Sequence, residues 1–431
     1  MARKMKDSGI EWIGEIPEGW EVAKLKNIVS IVRGGSPRPI EAYMSDNDND
    51  VNWIRISDTE KGSKYITHTS RKLIASGISK SRFIKRGSLI LTNSMSFGEP
   101  YILDIDGCIH DGWVAFSDFK KIDKEFLYYF LTSPLAKIQF EQQVDGGVVK
   151  NLNIDKIGDT VILLPSLIDQ NKVIAHLDSL TSETNSLLSK TITSIEEYKK
   201  LKQAVITQAV TKGVRGEREM KDSGVEWIGE IPEEWNKCKL KNISIDIGDG
   251  LHGTPKFDDS GEVYFINGNN FSSEYVEPKF DTKKLCLEES LNYPKPELTE
   301  QTIMISLNGS YGKVCLYRYF PMLLGKSAGY ITLLPSINRR YVRYYLSSTP
   351  AQTIMTLSLN GTTIPNLSLN TLYNFPTILP SASEQAEIAD YLDAKCAEID
   401  GLIAKKEQLV KELESYKKSL IYEVVTGKRE V

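Results

Sequence analysis

The chain has 431 residues, 53 Lys and Arg against 57 Asp and Glu, a net charge of −4 and 41% apolar residues. This balance excludes a disordered, collagenous or strongly basic protein and fits about two to four soluble globular domains. The five cysteines are scattered without a C-x-x-C pair, no apolar run is long enough to span a membrane, and the N-terminus has no apolar core behind its charges. Neither a disulfide framework nor a zinc site is expected, and the chain reads as cytoplasmic with no membrane association.

The first segment, residues 5–28, reads MKDSGIEWIGEIPEGWEVAKLKNI. Short strand-like runs follow at Asn52–Ile56, Ser88–Leu91, Tyr101–Ile105 and Trp113–Phe116, separated by clusters of Gly, Asn, Ser and Pro. From Pro165 the pattern changes. No glycine and no further proline occur until Gly213, and Val173, Leu177, Leu180, Leu187, Leu188, Ile192, Ile195, Tyr198, Leu201 and Val205 recur at helical spacing. Ser166 is a candidate N-cap and Gly213 a candidate left-handed stop. A helix of that length spans roughly 60 Å and needs a partner of matching length to bury its stripe.

Residues 220–243 then read MKDSGVEWIGEIPEEWNKCKLKNI, identical to the first segment at 19 of 24 positions with an offset of 215. The offset recurs: Tyr129-Phe130-Leu131 answers Tyr344-Tyr345-Leu346, Asn151-Leu152 answers Asn366-Leu367, Pro165-Ser166 answers Pro380-Ser381, Gln170 answers Gln385, and Leu177-Asp178 answers Leu392-Asp393. The chain is one unit written twice. Strand-like runs at Val263–Ile266, Thr302–Ser306, Val314–Tyr317 and Tyr330–Leu334 repeat the rhythm of the first half without its sequence. The C-terminal helix places Leu392, Ile399, Leu402, Leu409, Leu413, Tyr416 and Leu420 on a three-four alternation broken by Lys395 and Lys406, which is a coiled-coil seam. The expected fold is α+β: two duplicated strand-rich domains, each followed by a long helix, with the helices packed as an antiparallel coiled coil. The boundaries fall at 1–165, 166–216, 217–380 and 381–431. Residues 381–431 carry 8 basic and 11 acidic side chains, so −3 of the total −4 lies there, while residues 1–165 balance at 22 and 22. Acidity therefore does not preclude local basic faces on the domains.

Several catalytic signals fail. Gly248-x-Gly250-x-x-Gly253 leads into Thr254-Pro255 rather than a helix, so it is no dinucleotide fingerprint. Its counterpart is Gly35-Ser36-Pro37, and the shared feature is a turn after a strand. Gly325-Lys326-Ser327 resembles the end of a P-loop, but Phe320 stands where the first glycine belongs. The four histidines form no ligand motif, and no Asn/Asp-Pro-Pro-aromatic tetrapeptide for methyl transfer exists. The runs around Lys80–Arg86 and Arg339–Arg343 are basic, as solvated faces commonly are.

What remains is polar, loop-borne and present in both halves. The first half offers Arg33, Ser36 and Arg38 after the first strand, Arg55 and Ser57 after the second, Asn93, Ser94 and Ser96 on a later turn, and Lys150 and Asn151. The second offers His252, Thr254 and Lys256, then Asn267, Asn269 and Asn270, then Asn308, Ser310 and Lys313, and finally Thr362, Thr363 and Asn366. Arg55 pairs with Asn267 and Asn93 with Asn308 as equivalent positions. Arg, Lys, Asn and Ser on glycine-bearing loops suit hydrogen bonding to base edges and phosphates, and equally serve to close turns.

The repeated S-G-x-E-W-I-G-E-I-P-x-x-W segment, the later Asn-Leu and the P-S-x-x-x-[DE]-Q helix openings together resemble the specificity subunit of Type I restriction–modification enzymes, over nearly the whole chain and twice. The resemblance implies two target recognition domains that read the halves of a split duplex DNA target, and two conserved helices that act as a spacer. It implies a chain with no catalytic centre and no cofactor of its own. S-adenosylmethionine, ATP and Mg²⁺ are then expected on two modification subunits and two restriction subunits. The short tandem repeats that some members carry in the central helix are absent between Asp169 and Lys212. A duplicated protein-binding adaptor without DNA reading is the alternative that the residues leave open.

Overall fold

The computed structural model of the chain describes residues 3–431 except 12, 61, 95–96, 144–151 and 360–364. Two units result, Met1–Ile192 with Glu407–Val431, and Thr193–Lys406. Each therefore contains one globular repeat and a portion of both long helices.

In the first unit, a five-stranded sheet runs in the order Ser30–Arg33, Trp113–Ser117, Leu89–Thr92, Pro100–Leu103 and Tyr65–Ile66. A second sheet runs Met44–Ser45, Lys72–Leu73, Val51–Ile54, Gly107–Ile109 and Arg82–Ile84. Leu89–Thr92 reads as a continuous apolar run because both of its faces are covered. Leu89 and Leu91 enter the main core, whereas Ile90 enters a second cluster with Ile54, Tyr101 and Trp113. The second unit repeats the plan with fewer strands: Ser244–Asp249, Ala328–Leu333, Thr302–Ser306 and Val314–Leu316 in one sheet, and Lys284–Leu285, Val263–Ile266 and Met322–Leu324 in the other. There Ile303 and Ile305 face the main core and Met304 the smaller cluster. The strand-rich reading undercounts the helices. Each domain also carries paired helices, Lys124–Thr132 with Pro134–Gln143 and Arg339–Ser347 with Thr349–Leu357.

The long helices span Leu167–Lys212 and Ala382–Val425. Ser166 Oγ accepts from Asp169 N–H at 3.2 Å, and Gly213 ends the first helix at φ +80°. In the second unit Lys202 bonds Asp400 at 2.6 Å, while the Lys406 ammonium lies 5.7 Å from the Tyr198 ring centroid. Residue 198 faces 406 and 202 faces 400, so the helices run antiparallel. In the first unit Lys417 Nζ donates to Asn185 Oδ1 at 2.7 Å, and Val173 and Leu177 share a core with Leu420, Ile421, Val424 and Val425.

The seam differs from the one read as apolar spacing. Leu187, Ile192 and Leu201 are 46–50% exposed, and Leu409 and Tyr416 are 38% and 48% exposed. The covered positions of the first helix are Leu177, Thr181, Thr184, Leu188, Thr191, Ile195, Tyr198, Lys202, Val205 and Ala209, an unbroken four-three alternation. On the second helix they are Leu392, Cys396, Ile399, Ile403, Lys406, Val410, Leu413, Lys417, Leu420 and Val424. The three threonines are tolerated because each hydroxyl donates to the carbonyl four residues back, on Leu177, Leu180 and Leu187, at 2.6–2.8 Å.

Apart from the Asn-Leu pair, the matched sequence positions outside the duplicated N-terminal segment cluster where domain meets helix. Gln170 is fully buried; its Oε1 accepts from Asp123 N–H at 2.7 Å and its amide donates to Lys121 and Pro165 carbonyls at 2.9 and 3.0 Å. Gln385 repeats this with Asn338 N–H and the Pro380 carbonyl, both at 2.9 Å. Asp123 and Asn338 are themselves the N-caps of the two domain helices. Tyr129 donates to Asp178, and Tyr344 to Asp393. The repeated Gln, Tyr and Leu-Asp positions thus fix the helices to their domains.

Candidate nucleic-acid interface

In each unit a tight turn joins a strand of one sheet to a strand of the other, and three polar segments gather around it. In the first unit it is His110-Asp111-Gly112, between Gly107–Ile109 and Trp113–Ser117, closed by Trp113 N–H to His110 O at 3.1 Å. Gly34 and Gly35 run alongside, with N–H donations to Trp113 O and Ile109 O at 2.8 and 3.1 Å. A Cβ on Gly34 would lie 2.0 Å from His110 O, so only glycine passes there. The loop then delivers Ser36 and Arg38 to Asp111: Ser36 Oγ donates to Oδ1 at 2.8 Å and Arg38 reaches Oδ2 at 3.4 Å. Arg33 Nε donates to the Asp111 carbonyl at 3.0 Å. Burial pushes the Asp111 pKa up, but Ser36, its own backbone N–H, His110 and Arg38 outweigh that and hold it below the usual carboxylate range.

His110 is fixed from within the turn. A neutral imidazole has one acceptor nitrogen, and the 2.6 Å donation from Gly112 N–H gives that role to Nδ1. Burial lowers its pKa below 6.5. The short helix Ile56–Asp58 stands on the other side, with Ile56 N 3.3 Å from His110 Nε2. Arg55 is one-third exposed and is tied to Ser70 Oγ at 2.6 Å and to Asp58 at 3.4 Å, while Ser57 is free to solvent. Asn93 is buried beneath the turn, where its N–H donates to Gly112 O and its carbonyl accepts from Leu152 N–H, both at 2.9 Å. Ser94 lies beside Gly112.

The second unit builds the same place with other side chains. Gly325-Lys326-Ser327 joins Met322–Leu324 to Ala328–Leu333, closed by Ala328 N–H to Gly325 O at 2.9 Å. Leu251 N–H donates to Leu324 O at 2.7 Å, so the strand-end loop again flanks the turn. That loop carries His252, whose exposed imidazole contacts Asp249 at 2.7 Å, and the exposed Thr254 and Lys256. On the far side Asn267 Oδ1 accepts from Ser327 Oγ at 3.0 Å, and Ser327 Oγ accepts from Gly268 N–H at 3.0 Å. Asn270 is buried and closes the short helix, accepting from Asn267 N–H at 3.0 Å and donating to Thr282 at 2.8 Å. Asn269 is exposed. Asn308 bridges to the exposed Asn366, near the exposed Ser310 and Lys313.

A model of the Type I restriction modification DNA specificity domain matches residues 17–197 and again 232–412. The chain belongs to this specificity-domain family. It is 26% identical to the Type I restriction enzyme MjaVIII specificity subunit of Methanocaldococcus jannaschii over 96% of this chain and 93% of that protein. It is 22% identical to the EcoBI specificity subunit of Escherichia coli, over 93% and 84%. Among solved structures, a chain from a study of complex assembly and conformational transition of the type I R-M system superposes with a TM-score of 0.73 at 17% identity, over 96% and 99% of the two chains. The HsdS subunit of Thermoanaerobacter tengcongensis gives 0.51 at 17% identity, over 96% and 98%. A DNA specificity subunit needs donors and acceptors held on a rigid frame at the surface, and the two turn-centred clusters are candidates for that role.

The specificity-domain frame also sorts the residues that sequence singled out. Arg33, Ser36, Arg38, Arg55 and Ser57 converge on one turn, as do His252, Asn267 and Asn269 on the other. Arg55 and Asn267 are equivalent: each opens a short helix whose third residue, Asp58 or Asn270, accepts its N–H. Asn93 and Asn308 are one position apart. Asn93 shares its bonding with Leu307, whose N–H donates to Ser327 O and whose carbonyl accepts from Leu367, so Asn308 matches Ser94. Ser96, Lys150, Asn151, Thr362 and Thr363 lie outside the described residues. The basic runs are partly neutralised within their own units, Arg86 by Asp104 and Arg340 by Asp390, each at 2.7 Å. Sequence reasoning missed Asp111 and Lys326; the available signal was a charged residue isolated between two strand-like runs. Among the described residues no group of His, Cys, Asp and Glu is placed to hold a metal ion, and no helix is long and apolar enough to cross a membrane.

Proposed function

We propose that this DNA specificity subunit reads a bipartite duplex target, one half-site per unit, and that the helices shared by the units link the two readers. The observation that carries this reading is that one turn-centred site occurs in both repeats on one frame but with different side chains. His-Asp-Gly with Arg33, Ser36 and Arg38 stands in one unit, and Gly-Lys-Ser with His252 and Asn267 in the other. Matched frames with different readers recognise two different short sequences. In this reading the chain performs no chemistry. It acts in the cytoplasm, where two modification subunits supply S-adenosylmethionine-dependent adenine methylation and two restriction subunits supply ATP- and Mg²⁺-dependent cleavage. The duplicated helix openings give two identical partners equivalent surfaces.

The test exchanges residues 30–150 for the matching stretch of a relative with a different target and maps methylated adenines in cells carrying the complete system. The first half-site should change and the second persist. Methylation that stays on the original sequence in both halves removes recognition from these loops.

A further inference from the structure

The turn Gly325-Lys326-Ser327 bears on specificity through the one side chain it leaves unused. Gly325 has no side chain, and a Cβ there would lie 2.4 Å from Asn267 Oδ1, so the turn packs flush against the Asn267 segment. Ser327 is consumed on the same side, its hydroxyl accepting from Gly268 N–H and donating to Asn267. On the opposite side Leu251 is bridged to Gly325, which brings the His252 loop alongside. Lys326 is therefore the only side chain the turn presents outward. It is exposed, and no ion pair holds its ammonium among the described residues.

The first unit shows what occupies this place in the other reader. By strand register and turn closure, His110, Asp111 and Gly112 match Gly325, Lys326 and Ser327. Again one side chain is presented, but it is an acid, already committed to Ser36 and Arg38. The loop next to that acid brings two arginines, while the loop next to Lys326 brings Asp249 paired with His252. The turn carries an acid in the first unit and a lysine in the second, while each neighbouring loop brings cations of its own, Arg33 and Arg38 in the one and the exposed Lys256 in the other.

We propose that Lys326 is a specificity-determining residue of the second unit, donating from the tip of its turn to a guanine O6 and N7 edge in the half-site this unit reads. The proposal rests on the DNA-reading function given above. A lysine flanked by Asn267 and Asn269 on one side and His252 on the other sits among side chains that hydrogen-bond base edges, and lysine to guanine is a common major-groove pairing. A turn stapled on both flanks fixes the Cα from which the ammonium reaches, as a contact to a base edge requires.

The experiment selects duplexes from a randomised library with the full-length chain in complex with its modification subunits, using wild type, Lys326→Ala and Lys326→Arg, with melting temperatures as a check on folding. Wild type should enrich a two-part motif. Lys326→Ala should lose the preference at one guanine position in one part only, with a discrimination loss of about 5- to 150-fold, and leave the other part intact. Lys326→Arg should keep that guanine. An unchanged motif with uniformly weaker binding and a salt dependence smaller by about one counterion makes Lys326 a phosphate contact and overturns the proposal. An Ala variant with wild-type motif and affinity overturns it as well. If wild type enriches no motif, the DNA-reading function itself fails, and this assignment with it.

Discussion

Trp235 Nε1 donates to Glu384 Oε2 at 2.9 Å, and both side chains are buried. Arg218 closes the network, 2.7 Å from Glu384 Oε1 and 5.3 Å from the Trp235 ring centroid. The first unit keeps the tryptophan, Trp20, with Arg3 over its ring, but Asp169 replaces Glu384 at the matched helix position and bonds Ser166 instead. Near-identical sequence segments are therefore anchored differently in the two units.

Glu384→Ala leaves the buried Trp235 indole N–H without its acceptor and takes one of two carboxylates from Arg218, which Glu234 at 2.8 Å and the Lys212 carbonyl at 3.0 Å still hold. It should cost about 2 kcal/mol of stability in the second unit. Asp169→Ala removes only a surface contact and should cost less than about 1 kcal/mol. Urea unfolding of both variants checks the pair; equal losses would mean the network carries no special weight.

The seam of the long helices is tested by a contrast between neighbours on one helix. Ile399 is 6% exposed and Leu409 is 38% exposed. Ile399→Asp buries an unpaired carboxylate and should destabilise by about 3 kcal/mol or more, whereas Leu409→Asp points largely to water and should melt close to wild type. If Leu409→Asp is the more damaging, the seam follows the leucines and not the faces seen here.

Acidification should weaken the first unit through His110. Burial lowers its pKa below 6.5, with Arg55 adding to the effect and Asp111 and Asp58 only partly offsetting it. Between 6.5 and that lowered value the unfolded chain binds the proton and the folded chain does not. The stability gained by keeping the ring neutral is thus complete above the window and falls as pH drops through it. Unfolding measured from about pH 7.5 to 5.5 should show a steeper loss for wild type than for His110→Asn, where Asn Oδ1 can take over the Gly112 N–H without titrating. Parallel curves would remove His110 as the source.

The amino-acid sequence by itself determined the duplication, the presence of two long helices, the cap of the first at Ser166, its stop at Gly213 and the main sheet strands. These are local matters: a cap needs one hydroxyl at one backbone position, and a strand buried on both faces reads as an apolar run whatever surrounds it. The antiparallel pairing was legible too, because a helix of that length cannot bury its own stripe and a duplicated unit with its domain ahead of its helix sets the two helices head to tail.

Only the tertiary structure decided which face of each helix is covered. Thr181, Thr184 and Thr191 hide their hydroxyls on their own helix carbonyls and so pack as small apolar groups, while Leu187 and Leu201 stay about half exposed. It also decided what the polar loops do. Asn93 and Asn270 look like readers in sequence and are buried turn residues, and Asp111 and Lys326 look incidental yet stand at the tips of matched turns. The reason is physical: whether a polar side chain faces DNA or closes a turn depends on which strands meet beneath it, and those partners lie about 20 to 80 residues away in the chain.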